Sequence, residues 1–312
     1  MAEPANPTEL LRPLVRAVQE EAEADLLLYN GVVDYPGFRD VLRIATSTER
    51  RSNVILFLTT LGGDAHAAFR IARCLQTHYQ KYTIAITSMC KSAGTLVALG
   101  AHEMVIGGAG ELGPLDVQIR KPDEILVSES GLDIIQALTD LTQEALSAFR
   151  ETLLDIITGA GLSTKASTDI ATELVTGLYG QIFSQIDPVR LGAVARANRI
   201  GMHYGSQIGT NLKPRALAKL VSGYPSHSCV IDQQEARELF QQVREFTGAE
   251  KALLSFVGPL LDKPGLNAAN VLKLEPSHEP IEETQSPNPG TDGQPVKPNA
   301  GEQPAIPQRP AP

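Results

Sequence analysis

Apolar residues recur along this chain in two rhythms: short unbroken runs, and longer stretches spaced near 3.6 residues. The runs at 25–29, 54–58, 82–86 and 103–106 are rich in Leu, Val, Ile and Tyr and predict buried strands. Between them, 38–45, 66–79 and 92–99 read as helices; in 66–79, Ala67, Ala68, Ile71, Ala72 and Leu75 fall on one face. Residues 7–22 predict an amphipathic helix through Leu10, Leu11, Leu14, Val15 and Val18. Strand and helix alternate with short connections, so an α/β domain with right-handed crossovers and largely parallel strands is expected. Further on the pattern is helical, over 132–157, 163–174, 187–197, 213–221 and 232–246.

Composition narrows the picture. The 312 residues suffice for one large domain or two modest ones. Aromatic residues make up 5% and Trp is absent, so a core built from aliphatic residues and Ala is expected. A net charge of -9 and the absence of a basic stripe argue against a nucleic-acid partner. Cys74, Cys90 and Cys229 are isolated, which implies neither a zinc site nor a disulfide framework. The first residues lack a basic stretch followed by an apolar one, and the longest apolar run is far short of the ~20 residues of a membrane helix. A cytoplasmic protein without membrane insertion is expected. From 276 to the end lie ten of the 21 prolines and almost no large apolar residue. Such a segment cannot bury enough surface to offset its lost entropy and reads as a disordered tail. Its Pro spacing also suits docking on a partner domain, although a solvated tail is the plainer reading.

The candidate chemistry begins where the strand 54–58 runs into Leu61-Gly62-Gly63-Asp64. Two glycines there let backbone N–H groups face a cleft with no Cβ in the way. About thirty residues later, Lys91-Ser92-Ala93-Gly94-Thr95 opens a helix and raises one hydroxyl. The bland alternative is that Ser92 only caps that helix. His66 and His78 are twelve residues apart and make no helical metal pair, while H-E-x-x-H, Walker A and G-x-G-x-x-G patterns are absent. No metal or cofactor is expected.

Together with Glu111-Leu112-Gly113-Pro114-Leu115-Asp116 and Tyr224-Pro225-Ser226-His227, these segments resemble the Clp protease/crotonase superfamily. Within it, the chain is similar to the signal-peptide-peptidase-A-like serine peptidases called serine dehydrogenase proteinases. The resemblance spans residues 24–245 and implies a spiral of β-β-α units with a helical C-terminal part. It also implies a division into an N-terminal helical arm (1–23), a Clp/crotonase-like catalytic domain (24–248), an extension (249–274) and the Pro-rich tail (275–312). By the same resemblance Ser92 is the nucleophile, and the N–H groups of Gly63 and Ala93 form the oxyanion hole.

A serine needs a base, and here the pattern departs from its relatives. Asp116 stands where Clp-type peptidases place a histidine, and His227 stands where they place the acid. A Ser92–His227–Asp116 triad remains workable, because triads are defined by geometry rather than chain order. The lysine of signal-peptide-peptidase-like enzymes has no counterpart in 132–159; Lys165 is the nearest downstream candidate, and Lys91 should point away. The implied activity is that of a serine endopeptidase on polypeptide substrates, working as a homo-oligomer. Two alternatives stay open: acyl-CoA chemistry through a thioester enolate with Asp116 as base, and a non-catalytic scaffold.

Overall fold

In the computed structural model the described residues are 7–115, 118–120 and 128–276. Helix α1 (Pro7–Ala22) leads into β1 (Ala24–Asn30), α2 (Tyr35–Ala45), β2 (Asn53–Thr59), α3 (Ala65–His78) and β3 (Lys81–Ile86). There follow β4 (Met89–Cys90), α4 (Ala93–Leu99), β5 (Glu103–Ile106), β6 (Glu111–Leu112), β7 (Gln118–Arg120) and β8 (Ser128–Ser130). Three long helices come next, α5 (Gly131–Ala160), α6 (Thr164–Phe183) and α7 (Pro188–Ile208). The chain then forms α8 (Ala216–Ser222), α9 (Gln233–Leu239), β9 (Val243–Arg244), α10 (Gly248–Val257) and β10 (Asn270–Leu274).

The strand runs read from the sequence assemble as expected. β1, β2, β3 and β5 lie side by side and parallel, and the six-stranded sheet has the order β10-β1-β2-β3-β5-β9. Successive side chains of a strand point to opposite faces, so these buried strands serve two apolar layers. Leu27, Tyr29, Leu56, Leu58, Ile84 and Ile86 join the core shared with α2, α3 and α4. Leu26, Leu28, Ile55, Phe57, Ala85 and Val105 pack with Val15 and Val18 of α1 and Leu253 and Val257 of α10.

Two sheet edges depart from the sequence reading. The helix expected over 232–246 stops at Leu239, where Phe240 is extended and fully buried. Beyond it, Val243 and Arg244 pair with Met104 and Val105 and extend the sheet beside β5. Tertiary pairing thus overrides a locally helical pattern. On the opposite side, β10 adds antiparallel to β1 over Leu26↔Leu274 to Asn30↔Asn270. The helices α6 and α7 also run longer than the sequence suggested. Among the described residues no helix is long and apolar enough to cross a membrane. Residues 277–312, which hold nearly all of the Pro-rich tail, lie outside the described residues.

The carboxyl ends of the parallel strands are the place to look for chemistry, because in open α/β sheets the connecting loops there form crevices. The loops after β1, β2 and β3 meet at that end.

Candidate active site

Thr60 continues β2 past its last ladder bond and bridges to Cys90: its N–H donates to Met89 O at 2.8 Å, and Lys91 N–H donates to Thr60 O at 3.0 Å. This brings 61–63 beside Ser92. Gly62 and Gly63 have φ of +118° and +149°, a region L side chains rarely adopt. A Cβ on Gly62 would lie 2.8 Å from Ser92 Cβ, and one on Gly63 would overlap the carbonyl of Val33. Both positions therefore need glycine for approach as well as for φ. Val33 N–H donates to Gly62 O (2.9 Å) and Asp64 N–H to Val33 O (2.7 Å), which fixes the turn.

Ser92 occupies φ +50°, ψ −113°, one of three non-glycine residues with positive φ among the described residues. Its side chain makes no capping hydrogen bond to α4, so the bland capping role is not the one it plays. The elbow is tight because Gly94 packs where a Cβ would overlap Thr60 Cγ2. Buried Thr95 anchors the next segment: its hydroxyl donates to Gly113 O at 2.8 Å and accepts from Gly113 N–H at 3.3 Å. Among the described residues, the N–H groups of Gly63 and Ala93 donate to no backbone or side-chain acceptor. They are orphan donors of a strand end and a helix start.

Ser92, Gly63 and Ala93 line one cleft of about 550 Å³. Its walls are otherwise largely apolar, with Val32, Leu61, Leu96, Leu115, Ile200 and Leu266. Leu266, on the loop before β10, is 77% exposed at the cleft. Asn30 tethers that loop, accepting from Gly265 N–H at 2.8 Å and donating to Lys263 O at 2.9 Å.

Of the residues expected to supply a base, Asp116 lies outside the described residues, directly after Leu115, whose N–H donates to Leu220 O at 2.8 Å. His227 is half-buried in the connection 223–232, which is clamped to β6 by reciprocal bonds between Leu112 and Ile231 of 2.9 and 3.0 Å. It is not among the residues lining the cleft. Lys165 is exposed near the start of α6, away from the cleft lining. Lys91 turns away from the cleft, with its Nζ 2.9 Å from Glu111 and 3.2 Å from Leu112 O. Burial pushes the Cys90 thiol far above its usual range, so this neighbour of the elbow is no rival nucleophile.

One cleft residue escaped the sequence reading. His66, on the first turn of α3, lines the cleft with Ser92, and its Nδ1 lies 2.7 Å from the hydroxyl of Tyr204. Its partner is 138 residues away, on the part of α7 beyond the helix the sequence suggested. Asp64 also lines the cleft, with its carboxylate accepting from Ala67 N–H at 2.7 Å as the cap of α3.

Residues 32–204 match the family model described as ClpP-like SDH-type serine proteinase. Two curated relatives are uncharacterized proteins of Methanocaldococcus jannaschii. MJ1495 is 26% identical over 193 residues, covering 60% of this chain and 62% of its own. MJ0137 is 30% identical over 80 residues, covering 26% and 28%. This chain thus spans less than two thirds of the length of either relative. Two similar solved structures are of the 1510-N membrane-bound stomatin-specific protease. One is a serine-to-alanine mutant, and the other is a lysine-to-alanine mutant in complex with a substrate peptide. Each is 16% identical with a TM-score of 0.30; they cover 47% of this chain and 66% and 63% of their own.

Proposed function

Since this chain belongs to the ClpP-like SDH-type serine proteinase family, we propose that it is a serine peptidase whose nucleophile is Ser92. The observation that carries the reading is the elbow: one hydroxyl and the two N–H groups of Gly63 and Ala93 border a single cleft. In the proposed reaction Ser92 Oγ attacks the scissile carbonyl carbon of a polypeptide. The carbonyl oxygen becomes an oxyanion held by Gly63 N–H and Ala93 N–H, each such donor being worth about 3 kcal/mol at the transition state. His227 takes the hydroxyl proton and returns it to the leaving amine, while Asp116 orients and stabilises the imidazolium. Water then enters, loses its proton to the same imidazole and releases the acyl group from Ser92.

Support for His227 over Lys165 is partly chemical. A lysine base needs a desolvated amine, and Lys165 is exposed. We also propose that the protein works as a homo-oligomer, a reading supported by exposed leucines and isoleucines on α5 and α6.

Labelling of the purified protein with a fluorophosphonate probe tests the reading. Wild type is expected to label and Ser92→Ala not at all. His227→Ala and Asp116→Asn should lower the labelling rate by at least about a hundredfold, and Lys165→Ala should leave it unchanged. A wild type that does not label would overturn the peptidase reading in favour of a scaffold or of thioester chemistry at Asp116. Loss of labelling in Lys165→Ala alone would reassign the base.

A further inference from the structure

Helices α3 and α7 both contribute to the cleft, and together they hold five arginines and no carboxylate, in a chain whose net charge is -9. The arginines are dispersed in sequence, so no basic stripe is visible there; contacts of His66, Phe69 and Arg73 with Tyr204 and Gln207 set the α3 arginines beside α7. His66, Phe69, Arg70 and Arg73 follow i, i+3, i+4, i+7 spacing and share one face of α3. From the cleft outward the contacts are continuous. His66 meets the Tyr204 hydroxyl, and the Tyr204 ring stacks on Phe69 with centroids 4.3 Å apart. The Arg73 guanidinium lies 5.4 Å from the Phe69 centroid and donates to Gln207 O on α7 at 3.3 Å. Arg70 lies over Tyr35 and Phe38 of α2, at 5.6 and 5.8 Å.

These guanidiniums are exposed, lie over aromatic rings and form ion pairs with no carboxylate among the described residues; exposed Arg196 and Arg199 of α7 likewise form none. Several other cations of the fold do have carboxylate partners: Lys91 with Glu111, Lys219 with Glu235, Arg244 with Glu250. The acidic residues nearest in sequence to this surface are already engaged. Asp34 accepts from Gly37 N–H and Asp64 from Ala67 N–H as helix caps, and Asp40 pairs with Arg43 at 3.4 Å. A guanidinium stacked on an aromatic ring is weakly hydrated and pre-oriented for a carboxylate.

Resting on the peptidase reading, we propose that the site takes polypeptides rich in Asp and Glu, whose acidic stretch leaves the cleft past His66 and runs along the α3–α7 arginines. The elbow holds the reacting bond, and the arginine track selects what flanks it.

The test uses rhodamine-labelled peptides with one apolar centre and flanks of three Glu, three Gln or three Lys, titrated against full-length Ser92→Ala protein by fluorescence anisotropy. The Glu peptide is expected to bind about tenfold more tightly than the Gln peptide, and the Lys peptide more weakly than either. The Glu advantage should fall to about twofold in 0.5 M NaCl and in Arg70→Gln/Arg73→Gln/Arg196→Gln. The salt series on unaltered arginines decides the matter should that triple variant fail to fold. Equal affinity for the three peptides, or a Glu preference insensitive to salt, overturns the inference. Wild type that labels with fluorophosphonate yet shows no Glu preference retains the peptidase reading and loses this one. Glu-selective binding without labelling does the reverse, leaving an acidic-peptide site on a protein that is not a peptidase.

Discussion

At the scale of single residues, the site rests on conformations that side chains avoid. A serine at φ +50° costs about 1–3 kcal/mol and persists only where its surroundings over-determine it. Here Gly62, Gly94 and the Thr60–Cys90 bridge do so. Gly63 is the most constrained neighbour, since any Cβ there meets backbone. Gly63→Ala is therefore expected to lose about 3 kcal/mol or more of stability in urea unfolding. Gly192→Ala, on the helix α7 with nothing within 4 Å of an added Cβ, should gain up to about 1 kcal/mol. Gly62, Gly63 and Ser92 stood out through the family resemblance rather than locally, since a Gly-Gly turn and a serine at a helix start have common structural uses. His66 was not legible. Its role depends on Tyr204, and no local pattern links residues 138 apart.

At the scale of elements, the four central strands were legible because each is buried on both faces and so nearly free of polar residues. The edges were not. β9 is two residues long, too short for a pattern, and an ion-pair cluster reinforces its pairing with β5. Arg244 pairs with Glu250 at 2.7 Å and with Glu103 at 3.1 Å, while Lys81 also reaches Glu103 at 3.1 Å. Buried Glu250 further closes a capping box with Thr247 at the start of α10. Glu250→Ala should therefore cost about 3 kcal/mol, read by thermal or chemical unfolding, because a cap and a buried ion-pair partner go together. The cluster also gives a pH dependence. Burial works to raise the Glu103 carboxyl, and the hydrogen bonds from Lys81 and Arg244 more than offset it, leaving its pKa below 4.5. A carboxyl depressed on folding stabilises the fold above its unfolded pKa, and that contribution is lost as the pH falls through the folded value. Melting temperature should thus drop as acid is added below pH 4.5, and less steeply in Glu103→Gln, as a calorimetric series would record.

At the scale of the molecule, α5 and α6 pack on each other and still leave a wide apolar surface. Ile170, Leu174, Leu178 and Ile182 recur every fourth residue on α6 and are 42–60% exposed, while Leu146 and Leu154 of α5 are 51% and 59% exposed. Large apolar side chains exposed in such a row favour cover by another surface, which supports self-assembly through this helical pair. The protein is expected to sediment well above its chain mass of 33.5 kDa, and Leu174→Glu/Leu178→Glu to shift it to that mass. The sequence could not separate this surface from a core, because an amphipathic stripe looks the same whether its cover comes from the same chain or another.

The placing of β9 and β10 has a consequence in time. The parallel strands β1, β2, β3 and β5 are all encoded by residue 106, yet both outer partners of that sheet come from 243–274. During synthesis the nascent domain therefore carries two bare strand edges while some 140 further residues, mostly helical, are added. Unpaired edges are where chains join wrongly. A ribosome that stalls in this interval, or a message truncated before codon 270, would leave the most hydrophobic part of the protein open along β1, the very edge the last strand closes.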